Sequence, residues 1–255
     1  MTSTAEAAPA TQRSDGQGGW ETVKTVIYAL LIALVLRVLL FQPFTIPSAS
    51  MEPKLFEGDY VVVTKFSYGW SHHSIPFSPQ VFDGRLFAQA PQRGDIAVFK
   101  TPLDNRTDLI KRIVGLPGDR IQMKQGVLHI NGRAAPQTFL GNATEHDSGR
   151  PVARFREALP GGRTIVINDF GRGGELDDTP VYVVPEGHYF MMGDNRDNSG
   201  DSRVPVEAGG VGYVPAENLV GKAQVVLLAW KPGASVFKPW TWLNLDTSRF
   251  LRPLN

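Results

Sequence analysis

Residues 25–41 read TVIYALLIALVLRVLLF and are apolar except at Thr25 and Arg37. This predicts a helix able to cross a bilayer, near the short end of the usual ~20 residues. Trp20 and Tyr28 stand near its entry, where amphipathic rings suit a headgroup layer. Arg37 can snorkel back toward the far surface. A cleaved secretory signal has a shorter apolar core, about 7–15 residues, behind a positive start. Here the preceding segment mixes Arg13, Asp15, Glu21 and Lys24. The stretch 20–41 is therefore read as a retained anchor, and the small, polar, Gly-rich stretch 1–19 as a disordered tail. Lys24 lies on one side of the run and Arg37 and Lys54 on the other, so charge leaves the orientation open.

After residue 42 the pattern changes to short β-branched and aromatic runs bounded by Gly, Pro, Asn and Asp. DYVVVTKF (59–66), DIAVFK (95–100), LIKRIVGL (109–116), VLHING (127–132), TIVIND (164–169), VYVV (181–184), HYFMMGD (188–194) and KAQVVLLAW (222–230) predict strands. Four Gly-Asp pairs, at 58–59, 94–95, 118–119 and 193–194, punctuate them as turns. Residues 134–180 are richer in Gly, Arg and acids and alternate less, which predicts an inserted subdomain or long loops. The expected architecture is mainly β: one transmembrane helix, a β domain in two segments (42–120 and 183–230), and a smaller inserted β subdomain (121–182). Residues 231–255 form an aromatic and basic C-terminal segment carrying Phe237, Trp240, Trp242 and Phe250. It suits either a membrane interface or packing on the β domain.

With 255 residues and 42% hydrophobic content the chain can bury a sizeable core unaided. It has no cysteine, which excludes disulfides, thiolate metal sites and a cysteine nucleophile. A net charge of +1 argues against a nucleic-acid binder.

The five histidines (72, 73, 129, 146, 188) show no ligand spacing and offer no Ser-His-Asp arrangement. A hydrolase built on this chain needs another base, and a lysine kept neutral by desolvation can serve. In DLIKRIVGLPGD, strand alternation puts Leu109, Lys111 and Ile113 on one face and Ile110, Arg112 and Val114 on the other. Lys111 is thus flanked by aliphatics. The plainer reading is a solvated edge strand, and Arg112 could equally be the inward residue. Ser48 and Ser50 sit in PSASMEP (47–53), just past the apolar run. That segment reads either as a small-residue cleavage site or as the site of an enzyme that makes such cuts. The loop GDNRDNSGDSR (193–203) is dense in turn formers and in charges of both signs. It can fix itself by Asp–Arg pairs and present Ser199 or Ser202.

Taken together, IPSASMEPKLFEGDYVVVTKFSYG, RGDIAVFK, LIKRIVGLPGD and GDNRDNSGDSR resemble, in order, the motif boxes of bacterial type I signal peptidases. The resemblance covers roughly residues 41–120 and 185–225. It implies a β-rich catalytic domain with an inserted β domain, and no metal or nucleotide cofactor. It implies Ser50 as nucleophile and Lys111 as general base. The Ser48 hydroxyl and the Ser50 amide would form the oxyanion hole. Ser199 would orient the lysine, and Asp201 and Arg203 would brace the site. By the same analogy Phe44, Ile46, Pro47, Val98 and Ile110 line shallow pockets for small side chains, the A-x-A pattern. The partners implied are signal-peptide-bearing preproteins and membrane lipid, with no nucleic acid and a monomeric enzyme. The location implied is the bacterial cytoplasmic membrane, with the catalytic domain on its outer side. Some members carry two membrane helices or a disulfide in the inserted domain; this chain shows neither. Two other readings are a self-cleaving Ser/Lys regulatory protein and an inactive membrane-anchored module of the same fold. The membrane helix in place of a DNA-binding module opposes the first, and the intact Ser48, Ser50, Lys111, Ser199 set opposes the second.

Overall fold

The computed structural model describes residues 15–231, 238–241 and 243–254. The expected tail over residues 1–14, and Phe237 and Trp242 of the C-terminal segment, lie outside the described residues. The chain divides into two compact units that part between Arg37 and Val38.

The first unit is the helix Asp15–Leu39. It starts inside the stretch read as tail and ends before Phe41, which opens a strand. Once a long apolar segment has nucleated a helix, adding residues costs little, so Gly18 and Gly19 do not stop it. Its segment Gly19–Arg37 is predominantly apolar, unburied, and long enough to cross a membrane.

The second unit is built on an eight-stranded sheet. Its strands lie in the order Phe41–Thr45, Asp59–Thr64, Leu219–Ala229, Ile96–Lys100, Asp108–Gly115, His188–Met192 and Tyr213–Pro215. Arg252–Pro253 pairs with Leu219–Ala229 as well. All pairings are antiparallel. In Asp59–Thr64 the alternation is clean: Val61 and Val63 are buried, while Tyr60 and Val62 are half-exposed. Asp108–Gly115 is different, with six consecutive buried residues, because it lies inside the sheet and is covered on both faces. The solvated-edge reading of Lys111 therefore fails. Ile110 joins one core with Val61, Val98 and Met51; Ile113 joins another with Tyr68 and Phe99.

Three of the four Gly-Asp pairs are one structural device. Gly58, Gly94 and Gly118 all have positive φ (86°, 89°, 83°), where a side chain would be strained. The aspartate that follows turns its carboxylate back to the N–H three residues earlier: Asp59 to Phe56, Asp95 to Gln92, Asp119 to Leu116. Gly193-Asp194 is not such a turn, and its role belongs to the site.

Residues 120–183 form two small sheets rather than loops. One is four-stranded, from Arg120–Lys124, Val127–Ile130, Arg133–Ala134 and Tyr182–Val183. The other is three-stranded, from Gln137–Thr144, Pro151–Ala158 and Thr164–Asp169. The strands 137–144 and 151–158 escape sequence reading because they are half-exposed and carry Asn, Gly, Arg and Glu where a buried strand carries Val or Ile. In the C-terminal segment, Leu254 and Arg249 are buried, and Arg249 binds Asp59. Part of this segment therefore packs on the sheet, while Trp240 and Phe250 remain exposed.

Candidate active site

The segment 47–53 leaves the strand Phe41–Thr45 and is clamped at once: Ile46 N–H donates to the Asp59 carbonyl, and Gly58 N–H to the Ile46 carbonyl. Ser48 is extended, and Ala49–Met51 then makes a single 3₁₀ turn. The Met51 carbonyl accepts from Lys54 and Leu55. Met51 itself is fully buried and anchors the turn in the core. Ser50, 7% exposed, is thus held on a rigid turn.

Lys111 comes from the middle of Asp108–Gly115, paired across the ladder with Ala97. Its ammonium nitrogen lies 2.6 Å from Ser50 Oγ, and only 4% of the residue is exposed. Burial drives its pKa down from 10.5 to about 8, against the upward pull of Asp201 and Asp194. Arg112 is buried too, on the alternate face. It binds Asp194 through two parallel bonds of 2.7 and 2.6 Å and donates to the Gly94 carbonyl. Neighbouring cations are thereby treated oppositely: the arginine is paired with a carboxylate, and the lysine is left beside a neutral hydroxyl.

Ser48 Oγ lies 3.3 Å from Ser50 Oγ. Ser199 Oγ is buried and has no hydrogen-bond partner. The bond expected between Ser199 and Lys111 is not made: Lys111 donates to Ser50, and Ser199 Oγ lies against Gly193. A Cβ on Gly193 would fall 2.4 Å from Ser199 Oγ and 2.5 Å from the Ser50 carbonyl oxygen. Only glycine permits this approach. The Asp201 carboxylate accepts from Gly193 N–H and from Arg203 Nε and Nη2. Burial alone would raise its pKa, but the Arg203 guanidinium and these bonds hold it below the usual value. Arg203 also donates to the Arg196 carbonyl.

Several positioning groups escaped sequence reading. Asn195 donates its N–H to the Ser50 carbonyl and its side-chain amide to the Ala49 carbonyl and to Glu145. Arg196 pairs with Glu157 in full burial. Glu52, two residues after Ser50, accepts from His146 N–H. Glu145, His146 and Glu157 all come from the three-stranded sheet and its connecting turn. The charge density of 193–203 signalled ion pairing, but nothing in the spacing pointed to partners 39 or 50 residues away.

Phe44, Ile46, Pro47, Val98 and Ile110 line one shallow cleft of about 70 Å³ together with Ser48 and Lys111. Among the described residues no histidine hydrogen-bonds to Ser50 or Lys111: His129 and His188 meet backbone carbonyls, and His146 stacks on Phe56. Among the described residues no His, Cys, Asp and Glu group is arranged to hold a metal ion.

Comparison with known proteins gives the family. Residues 19–230 match the family model described as signal peptidase, peptidase S26. The chain is 42% identical over 217 residues to a signal peptidase I of Rickettsia typhi, covering 80% of this chain and 78% of that protein. It is 41% identical over 220 residues to one of Rickettsia canadensis, covering 82% and 79%. Among solved structures, a signal peptidase I from Enterococcus faecalis V583 matches 52% of this chain and 97% of its own, with 26% identity and a TM-score of 0.32. The chain belongs to the signal peptidase family, peptidase S26, and so among the serine peptidases.

Proposed function

We propose that this chain is a membrane-anchored endopeptidase that removes signal peptides from exported preproteins by cutting after an A-x-A-like site. Ser50 is its nucleophile and Lys111 its general base. The observation that carries this reading is the 2.6 Å contact between Lys111 Nζ and Ser50 Oγ in a buried setting that brings the lysine pKa to about 8. Near pH 8, about half of such lysines are neutral, against well under ~1% for an ordinary one. A neutral amine beside a serine hydroxyl can take its proton.

In this mechanism Lys111 takes the Ser50 proton as Oγ attacks the scissile carbonyl. The developing oxyanion is received by the Ser48 hydroxyl and the Ser50 N–H, each such donor contributing about 10²–10³ in rate. The protonated lysine then protonates the departing amine, which leaves as the new N-terminus of the mature protein. Lys111 next activates water to hydrolyse the ester on Ser50. Ser199, with its unpartnered buried hydroxyl, is assigned to accept a Lys111 N–H once Ser50 is acylated. Asp201 and Arg203 brace the loop that carries Ser199 and Asn195.

The shallow cleft formed by Phe44, Ile46, Pro47, Val98 and Ile110 supports a preference for small side chains at the first and third positions before the cut. The helix Asp15–Leu39 is the proposed anchor in the bacterial cytoplasmic membrane, with the catalytic unit on the outer side and the enzyme monomeric. Mass analysis of a model preprotein after incubation with detergent-solubilised enzyme tests specificity. A single product starting just after A-x-A, lost when either alanine is replaced by leucine, supports the reading. Cleavage indifferent to those replacements contradicts it.

A further inference from the structure

A second and larger cleft, of about 430 Å³, lies between the 53–56 segment, the C-terminal strand and the three-stranded sheet. Five cations line it, Lys54, Arg112, Arg154, Arg163 and Arg252, and among the described residues no carboxylate does. Two of the five are neutralised from behind: Arg112 by Asp194 and Arg163 by Asp95. Lys54, Arg154 and Arg252 make no ion pair among the described residues. The Lys54 ammonium donates to the Pro253 carbonyl, and the Arg154 guanidinium to the Asn168 side chain. A chain of net charge +1 thus concentrates three unpaired cations on one concave surface.

Burial lowers the Lys54 pKa, and the nearby Arg252 and Arg112 lower it further. Like charges held together in this way favour an anion between them. Apart from Thr164 the other lining side chains are apolar, with Leu140 exposed, Phe56 half-buried and Ile165 and Leu254 buried. An inorganic ion would leave these walls unused, and a purely apolar ligand would leave the cations unpaired.

We propose that this cleft binds a phosphate-bearing amphiphile. Its phosphate sits among Lys54, Arg154 and Arg252, and its apolar part lies on Phe56, Leu140, Ile165 and Leu254. Guanidinium forks match phosphate oxygens two at a time, and the cleft volume falls in the usual range of small-ligand sites, about 300–1,000 Å³. The proposal stands independently of which preproteins are cut.

The test is calorimetric titration of the full chain in an uncharged detergent. The probes are dihexanoyl phosphatidylglycerol, dihexanoyl phosphatidylcholine and inorganic phosphate. The variants are Arg252→Glu and the double Arg154→Gln with Arg252→Gln. The Arg252 side chain is exposed and makes no ion pair among the described residues, so the single variant is expected to melt with the wild type when unliganded. The expected result is saturable binding of the phosphatidylglycerol, about tenfold weaker binding of phosphate, and at least about tenfold loss in either variant. Phosphate binding as tightly as the lipid would keep the anion site and assign free phosphate as its source. Undiminished lipid binding in both variants, equal binding of phosphatidylcholine, or no saturable binding at all would overturn the proposal.

Discussion

The N–H of Asn195 donates to the carbonyl of Ser50 at 3.1 Å, and the Asn195 side chain donates to the preceding carbonyl of Ala49 at 3.2 Å. One residue of the 193–203 loop thus fixes two successive peptide groups of the turn that carries the proposed nucleophile. Replacing Asn195 with alanine keeps the first bond and removes the second, along with the link to Glu145. We expect kcat to fall roughly 10- to 100-fold with KM little changed, since misplacement of the nucleophile acts on chemistry rather than on binding. Steady-state kinetics on a preprotein substrate check this, and a change confined to KM would contradict it.

Gly193→Ala should be more damaging than its size implies. The added methyl would meet Ser199 and the Ser50 carbonyl at 2.4–2.5 Å, and the second of these is backbone held by Asn195. Overpacking of this kind costs about 1–3 kcal/mol. The melting temperature should fall and activity should drop at least ~100-fold by displacement of Ser50. Ser199→Gly introduced alongside should not restore the melting temperature, because the contact with the Ser50 carbonyl remains.

Lys111 carries a pH signature in stability. Above pH 10.5 the lysine is neutral in both folded and unfolded chains. As pH falls, the unfolded chain takes up a proton that the folded chain does not hold until about pH 8. The buried lysine therefore weakens the fold progressively, by up to about 3 kcal/mol below pH 8. Lys111→Met should melt above the wild type at pH 7, and the gap should close as pH rises toward 10. A gap independent of pH would show that the lysine is not depressed.

The buried pair Glu157–Arg196 joins the three-stranded sheet to the active-site loop. Glu157→Ala leaves a fully buried guanidinium without its carboxylate and should cost about 3–5 kcal/mol. Replacing both residues with methionine should recover most of that loss. Thermal melting of the single and double variants measures the coupling.

What was legible in the sequence follows from how local each signal is. The apolar helix, the strands around Val61, Val98 and Ile113, and the turn aspartates at 59, 95 and 119 are each written in a few adjacent residues. The motif boxes singled out Ser50 and Lys111, which the fold brings into contact across 61 residues of chain. Whether Lys111 was buried could not be read locally, since that depends on its strand having neighbours on both sides. The strands 137–144 and 151–158 were hidden by their polar composition. The partners Glu145 and Glu157 were hidden because an ion pair across the fold leaves no spacing to detect. Ser199 was placed near the site, but its bond to the lysine is absent while Lys111 donates to Ser50.

Whether Lys111 takes the proton of Ser50 is read from cleavage of an A-x-A preprotein by wild type, Ser50→Ala and Lys111→Ala. The assay should be run from pH 6 to 10 in detergent. Both variants should lose nearly all activity, and wild-type kcat/KM should rise with an apparent pKa near 8. A Lys111→Ala enzyme that keeps most of its rate, with the same pH profile, would contradict it.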